Sequence, residues 1–104
     1  MTDLDRYEIL LPLKFNDGRA VPHELLAATR GELKERFGAI SAESQVIRGE
    51  DEETASHGDQ LARVFVDVPA TEENRIFFQK LKERLKERFS QFEIFITVHP
   101  VRRL

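Results

Sequence analysis

Apolar and polar residues alternate with the period of a β-strand in four segments of the chain. In residues 7–15 every second position is apolar: Tyr7, Ile9, Leu11, Leu13 and Phe15. Residues 39–48, 61–68 and 93–101 show the same period. The low hydrophobicity of 39–48 is typical of an edge strand. The pattern therefore predicts four strands.

Two further segments place their core residues at helical spacing. The first lies between Pro22 and Gly38, which suit the first turn and the C-terminal cap of a helix. Its inward face comprises Leu26, Thr29, Leu33 and Phe37. Thr71 is the predicted N-cap of the second helix. Its buried stripe comprises Phe78, Leu81, Leu85 and Phe89.

The order of the elements is strand, helix, strand, strand, helix, strand. Two split right-handed β-α-β crossovers give a four-stranded antiparallel sheet in the spatial order 4-1-3-2, with both helices on one face. We therefore predict an α+β fold of the ferredoxin-like βαββαβ type. We expect a single domain over residues 1–104, because that length is typical of one domain.

The acidic residues are concentrated in one connection. The net charge is −3, and residues 50–59 hold five carboxylates with no Lys or Arg. We predict an acidic, mobile hairpin loop at about 49–59. The rest of the chain then carries +2. This charge is far from the basic excess of proteins that bind phosphate backbones, which disfavours nucleic acid as a partner.

The cellular compartment is indicated by what the sequence lacks. The chain has no cysteine, which excludes disulfides and fits a cytoplasmic protein. No signal peptide is visible in the polar first six residues. The longest apolar stretch, residues 9–13, is far shorter than the ~18 residues that a membrane span needs. We therefore expect a cytoplasmic protein that is not embedded in a membrane.

Three sequence segments carry a resemblance to known proteins. They read YEILLPLKFNDG followed by VP, then ERFG, and then NRIFF followed by LKERLKERFSQFEIFI. Together they resemble small uncharacterised bacterial proteins of ferredoxin-like fold, over nearly the whole chain. The resemblance implies this fold and a bacterial cytosolic setting, and it brings no catalytic motif.

The face of the sheet opposite the helices is the candidate site. Leu10, Phe65 and Phe95 should lie near its centre, with Arg63 and His99 among the residues around them. An apolar patch bordered by charge usually marks an interface. We therefore predict a homodimer whose contact includes these five residues.

Other uses of this face are less well supported. RNA-recognition domains stack bases there, but Leu10 stands where an aromatic is expected and Asp67 adds the wrong charge. His99 could act as an acid or base near neutral pH, although a histidine at the edge of a dimer contact is the simpler interpretation. His57 follows the acidic run without the spacing of a calcium or zinc site, so we expect no metal and no cofactor.

These observations leave two functional hypotheses. The first is a non-catalytic binding or assembly module that dimerises through the open sheet face, for which no catalytic residue is predicted. The alternative is a small dimeric enzyme or ligand carrier that binds a small molecule between sheet and helices. A pocket of roughly 300 Å³ or more with convergent polar groups would favour the alternative.

Overall fold

The computed structural model describes residues 3–40 and 60–104 in full and the backbone of residues 41–46. Its elements are β1 (Leu4–Pro12), α1 (His23–Phe37), β2 (Ser41–Val46), β3 (Gln60–Pro69), α2 (Glu72–Arg88) and β4 (Phe95–Val101). The strands pair antiparallel in the spatial order β2-β3-β1-β4. The acidic loop predicted at about 49–59 lies outside the described residues.

Four strands pair in the sheet, and side chains are described on three of them. Side chains are described on β3, β1 and β4, which form a three-stranded antiparallel layer with β1 in the middle. β2 adds its backbone to the outer edge of β3. The site described below is built on these three strands.

The predicted bounds of two strands are also wrong. β1 ends at Pro12 instead of Phe15, and the chain turns back through an isolated bridge between Lys14 and Ala20. β4 begins at Phe95 instead of Glu93. The Glu93 carboxylate accepts hydrogen bonds from its neighbouring Ile94 N–H, at 3.0 Å, and from Lys82 Nζ, at 2.9 Å. This local bonding competes with strand pairing at that point.

The core lies between one face of the sheet and the two helices. Alternate residues of β1 and β3 are buried, and they pack with α2 residues from the predicted stripe. That prediction is confirmed, since all four of its members are at most 2% exposed: Phe78, Leu81, Leu85 and Phe89. Tyr7 of β1 stacks on Phe78 with ring centroids 3.8 Å apart, so α2 is held directly against the central strand.

The helix ends follow the sequence signals. Gly38 adopts a left-handed conformation with φ of 83° and donates its N–H to the Lys34 carbonyl, as a C-terminal cap requires. Thr71 Oγ1 accepts a hydrogen bond from the Asn74 N–H at 3.2 Å, which confirms the predicted N-cap. Within the described ranges, neither helix has the length and hydropathy needed to cross a membrane.

Polar contacts also join the two helices. Glu32 of α1 accepts hydrogen bonds from Arg84 and from Arg88 of α2. Arg88 Nη1 also donates to Thr29 Oγ1 at 2.8 Å, and this hydroxyl donates in turn to the Leu25 carbonyl at 2.9 Å. The fully buried hydroxyl of Thr29 is therefore satisfied, and the network fixes how α1 and α2 lie against each other.

Candidate functional site

The sheet surface that points away from the core is called the open face here. Its members alternate with the buried positions: Arg6, Glu8 and Leu10 on β1, Arg63, Phe65 and Asp67 on β3, and Phe95, Thr97 and His99 on β4. The pairing register arranges them in three rows across the strands. The rows are Asp67–Arg6–His99, Phe65–Glu8–Thr97 and Arg63–Leu10–Phe95.

Two ion pairs join β1 to β3 on this face. Arg6 donates from Nε to Oδ1 of Asp67 at 2.8 Å and from Nη2 to Oδ2 at 3.0 Å. Arg63 likewise forms a bidentate ion pair with Glu8, in which Nε donates to Oε1 and Nη2 donates to Oε2 at 3.1 Å. Guanidinium–carboxylate pairs of this geometry are among the strongest side-chain hydrogen bonds. Both carboxylates are therefore neutralised by an arginine of the neighbouring strand.

These arginines lower the pKa of both carboxyl groups. The hydrogen bond from Arg63 is the largest cause for Glu8, and the hydrogen bond from Arg6 is the largest cause for Asp67. The charge of Arg103 lowers the pKa of Asp67 further. A carboxyl group whose pKa is lower in the folded state stabilises the fold above its unfolded pKa of about 4, and this contribution is lost as the pH falls.

Phe65 lies beneath these two ion pairs. The Cζ atoms of Arg6 and Arg63 are each 4.7 Å from the centroid of its ring, within the range of cation–π attraction. The Phe65 side chain is half-buried. Phe95 is 65% exposed and lies opposite Leu10 in the register. The accessible apolar surface is therefore centred on Phe95, because Leu10 and Phe65 are both half-buried.

The residues predicted from the sequence all lie on the open face, but in different rows, with Phe65 in the row that contains Glu8. Leu10, Arg63 and Phe95 share one row, whereas His99 is opposite Arg6 in the row at the other end. Sequence analysis missed Arg6. The available signal was that Arg6 and Glu8 alternate with buried Tyr7 and Ile9, but nothing in the sequence indicates which carboxylate Arg6 would bind.

The space between sheet and helices is occupied by tightly packed side chains. Eleven residues there have less than 2% of their surface exposed. The buried polar residues, Thr29 and Asn74, are hydrogen-bonded within the fold, and Asn74 Nδ2 donates to the Pro69 carbonyl at 2.9 Å. Across the described residues, every buried side-chain nitrogen and oxygen has a hydrogen-bond partner. The described part of this layer is therefore filled by the core.

Two grooves lie elsewhere, on the outer surfaces of the helices. One, of about 440 Å³, lies beside Glu83, Lys86 and Phe92, and the other, of about 580 Å³, lies beside Arg30 and Lys34. Both grooves exceed the roughly 300 Å³ expected of a ligand pocket, but neither is enclosed between the sheet and the helices. No group of three histidine, aspartate or glutamate side chains able to hold a metal ion occurs in the described part of the chain.

Comparison with known proteins gives one informative match. No family model matches the chain, and no curated protein matches it either. Among solved structures, the chain is similar to a phage SAM lyase in complex with S-methyl-5′-thioadenosine. The match has a TM-score of 0.59 and 14% sequence identity, and it covers 99% of this chain and 92% of the lyase. At this identity the similarity shows the fold alone.

This match corrects the first functional hypothesis. The solved structure that shares this fold over 99% of the chain is an enzyme in complex with a small molecule. It favours the alternative, a small enzyme or ligand carrier. The described part of the layer in which that hypothesis places the ligand is filled by the core.

Proposed function

We propose that this chain is a small enzyme or carrier that binds a 5′-thioether or 5′-sulfonium derivative of adenosine on its open face. The observation that carries the proposal is the similarity of fold, over 99% of the chain, to a SAM lyase in complex with S-methyl-5′-thioadenosine. The residues of this chain do not establish a reaction, so the proposal concerns the class of ligand and the surface that binds it.

The open face supports this ligand class because it combines an aromatic ring with hydrogen-bonding groups. Phe95 is 65% exposed and has Leu10 beside it, so a purine can stack on its ring. Glu8 and Thr97 occupy the adjacent row, where ribose hydroxyls would find acceptors. Since Arg63 holds the Glu8 carboxylate in place, this acceptor is already oriented before a ligand arrives.

Phe95→Ala is expected to weaken the binding of S-methyl-5′-thioadenosine by about five- to 150-fold, because stacking of a base on an aromatic ring contributes about 1–3 kcal/mol. Isothermal titration calorimetry with the purified protein measures this change. Phe92→Ala is the matched control, since Phe92 is 95% exposed and lies before β4, outside the open face. It is expected to bind like the wild type.

The two possible failures have different meanings. Absence of binding by the wild-type protein at millimolar ligand would contradict the proposed function. Equal affinities of the wild type and Phe95→Ala would place the ligand on another surface. Incubation with S-adenosylmethionine, followed by chromatography for S-methyl-5′-thioadenosine, then separates an enzyme from a carrier. Because the sulfonium compound also releases this thioether slowly by itself, with homoserine lactone as the co-product, an enzyme must release it faster than a protein-free control does.

We propose, as a second candidate use of the open face in place of the ligand, the homodimer that the sequence predicts, because Phe95 leaves a large apolar ring in water beside half-buried Leu10. A dimer contact that buries Phe95 and a purine stacked on it exclude each other. Phe95→Glu is expected to convert the dimer into a folded monomer in sedimentation experiments at micromolar concentration, since two copies of a charged side chain would meet at the contact. Phe92→Glu introduces the same charge elsewhere and should leave the dimer intact. A wild-type monomer at this concentration would contradict the proposal.

A further inference from the structure

β4 lies at an edge of the sheet and pairs with a strand on one side only. In the spatial order β2-β3-β1-β4 its neighbour is β1. Within the described ranges, none of the backbone hydrogen bonds outside the strand pairs involves residues 95–101. Among these residues, the N–H and C=O groups on the outer side of β4 therefore lack a partner, and such an edge is a template for pairing with a further strand.

The helices do not cover the apolar residues of the sheet as far as this edge. Val66 of β3, Tyr7 of β1 and Val98 of β4 lie opposite one another in one row on the side of the core. Val66 and Tyr7 are 5% and 4% exposed, whereas Val98 is 45% exposed. A strand added beside β4 would bury this side chain, because residues directly opposite each other on neighbouring strands are in contact.

The sequence of β4 lacks the charges that commonly keep edge strands from pairing. Its seven residues, FITVHPV, include no Lys, Arg, Asp or Glu. Pro100 has no N–H, but it lies near the end of the strand, so residues 95–99 keep all their donors. Because a twofold axis brings the same segment of two copies together, an uncharged strand can pair with itself without repulsion.

Charged residues on either side of β4 favour one register for such a pair. In two antiparallel copies centred on Val98, Thr97 lies opposite the partner's His99. Continued beyond the ends of the strand, this register brings Glu93 opposite the partner's Arg103, and both side chains are exposed. Within the described chain, Glu93 makes its side-chain contacts through Oε1, which leaves Oε2 for the guanidinium. Opposite charges at facing positions stabilise strand pairing.

We infer that two copies of this chain pair through β4, antiparallel and centred on Val98, so that two four-stranded sheets join into one continuous sheet. This interface differs from the homodimer proposed above, because it runs along the edge of the sheet and leaves the open face uncovered. It does not depend on the proposed ligand, and it is compatible with a ligand bound at Phe95.

Val98→Cys tests the register directly, because the chain has no cysteine and a disulfide can only join two copies. Residues directly opposite in an antiparallel pair have Cα atoms about 4.5–5.5 Å apart, within the span of about 4.4–6.8 Å that a disulfide bridges. After mild oxidation we expect this variant to run as a covalent dimer on a non-reducing gel.

Two further cysteine variants are the controls for this gel. Phe95→Cys is expected to stay monomeric, since the two copies of position 95 are about 20 Å apart along the strands in this register. Phe92→Cys places the thiol at a site that is 95% exposed and outside β4, so it measures linkage by random collision.

Sedimentation at micromolar concentration measures the strength of the contact. Val98→Asp is expected to raise the dissociation constant of the dimer about tenfold or more, because two carboxylates would face each other at the centre of the interface. Val98→Thr keeps the branched shape without a charge and should remain dimeric. Since Val98 is exposed in the single chain, both variants should unfold in urea near the wild-type midpoint.

A wild-type monomer at this concentration overturns the inference. It is also overturned if Val98→Cys links no more than Phe92→Cys, or if Val98→Asp associates as strongly as the wild type. Linkage of Phe95→Cys in place of Val98→Cys overturns it in favour of a dimer through the open face. Ligand binding is measured separately by calorimetry, so failure of the proposed function and failure of this inference are distinguishable.

Discussion

Phe78→Ala is expected to lower the free energy of unfolding by about 3–5 kcal/mol, a large fraction of the ~5–15 kcal/mol of a typical domain. Phe78 is 2% exposed and contacts rings from three parts of the fold. It stacks on Tyr7 of β1, lies parallel to Phe37 of α1 with centroids 5.6 Å apart, and meets Phe77 edge-on at 5.1 Å. Removal of the ring therefore leaves a cavity where β1, α1 and α2 meet. Urea unfolding at neutral pH measures the change.

Two further variants make this prediction decisive. Phe92→Ala removes the same ring from a site that is 95% exposed and should change the free energy of unfolding by less than ~0.5 kcal/mol. Phe78→Leu keeps an apolar side chain of similar bulk, so it should lose distinctly less stability than Phe78→Ala and give a folded reference if the alanine variant does not fold. Equal losses in Phe78→Ala and Phe92→Ala would contradict the observed packing.

Leu85→Ala is expected to lower the free energy of unfolding by about 2–5 kcal/mol. Leu85 has no exposed surface and lies one helical turn from both Leu81 and Phe89, which are also fully buried. Since α2 is held to the sheet along this stripe, the cavity cannot be closed without moving the whole helix. The same urea experiment measures the loss.

The matched control for Leu85 is Leu104→Ala. Leu104 is fully exposed, so the same shortening of the side chain should leave the unfolding midpoint almost unchanged. A loss below ~1 kcal/mol for Leu85→Ala would show that α2 packs on the sheet through another side of the helix.

The sequence by itself determined which residues face the core. In β1, alternation assigned Tyr7, Ile9 and Leu11 to the buried face, and all three are at most 4% exposed. The period is sufficient for this purpose because neighbouring side chains of a strand point to opposite faces. The helix ends at Gly38 and Thr71 could also be predicted from the sequence, because a helix cap depends on residues only a few positions away.

The ends of the strands could not be predicted as well from the alternation of apolar and polar residues. Ile94 is buried, as its place in the alternation predicts. It nevertheless lies before the start of β4, because its N–H donates a hydrogen bond to the Glu93 side chain. Phe15 continues the alternation of β1 but lies beyond its end at Pro12. Hydrophobic periodicity reports burial, and burial continues past the last residue that pairs with a neighbouring strand.

Only the tertiary structure decided what the open face can do. The pairs Arg6–Asp67 and Glu8–Arg63 join residues 61 and 55 positions apart, and the Arg88–Glu32 contact between the helices spans 56. A sequence shows that charged residues lie on one face, but it does not show the register that brings a given arginine to a given carboxylate. This register is set when the strands pair. It covers Phe65 with two guanidinium groups, leaves Phe95 exposed, and places Arg6 and His99 at the opposite end of the face.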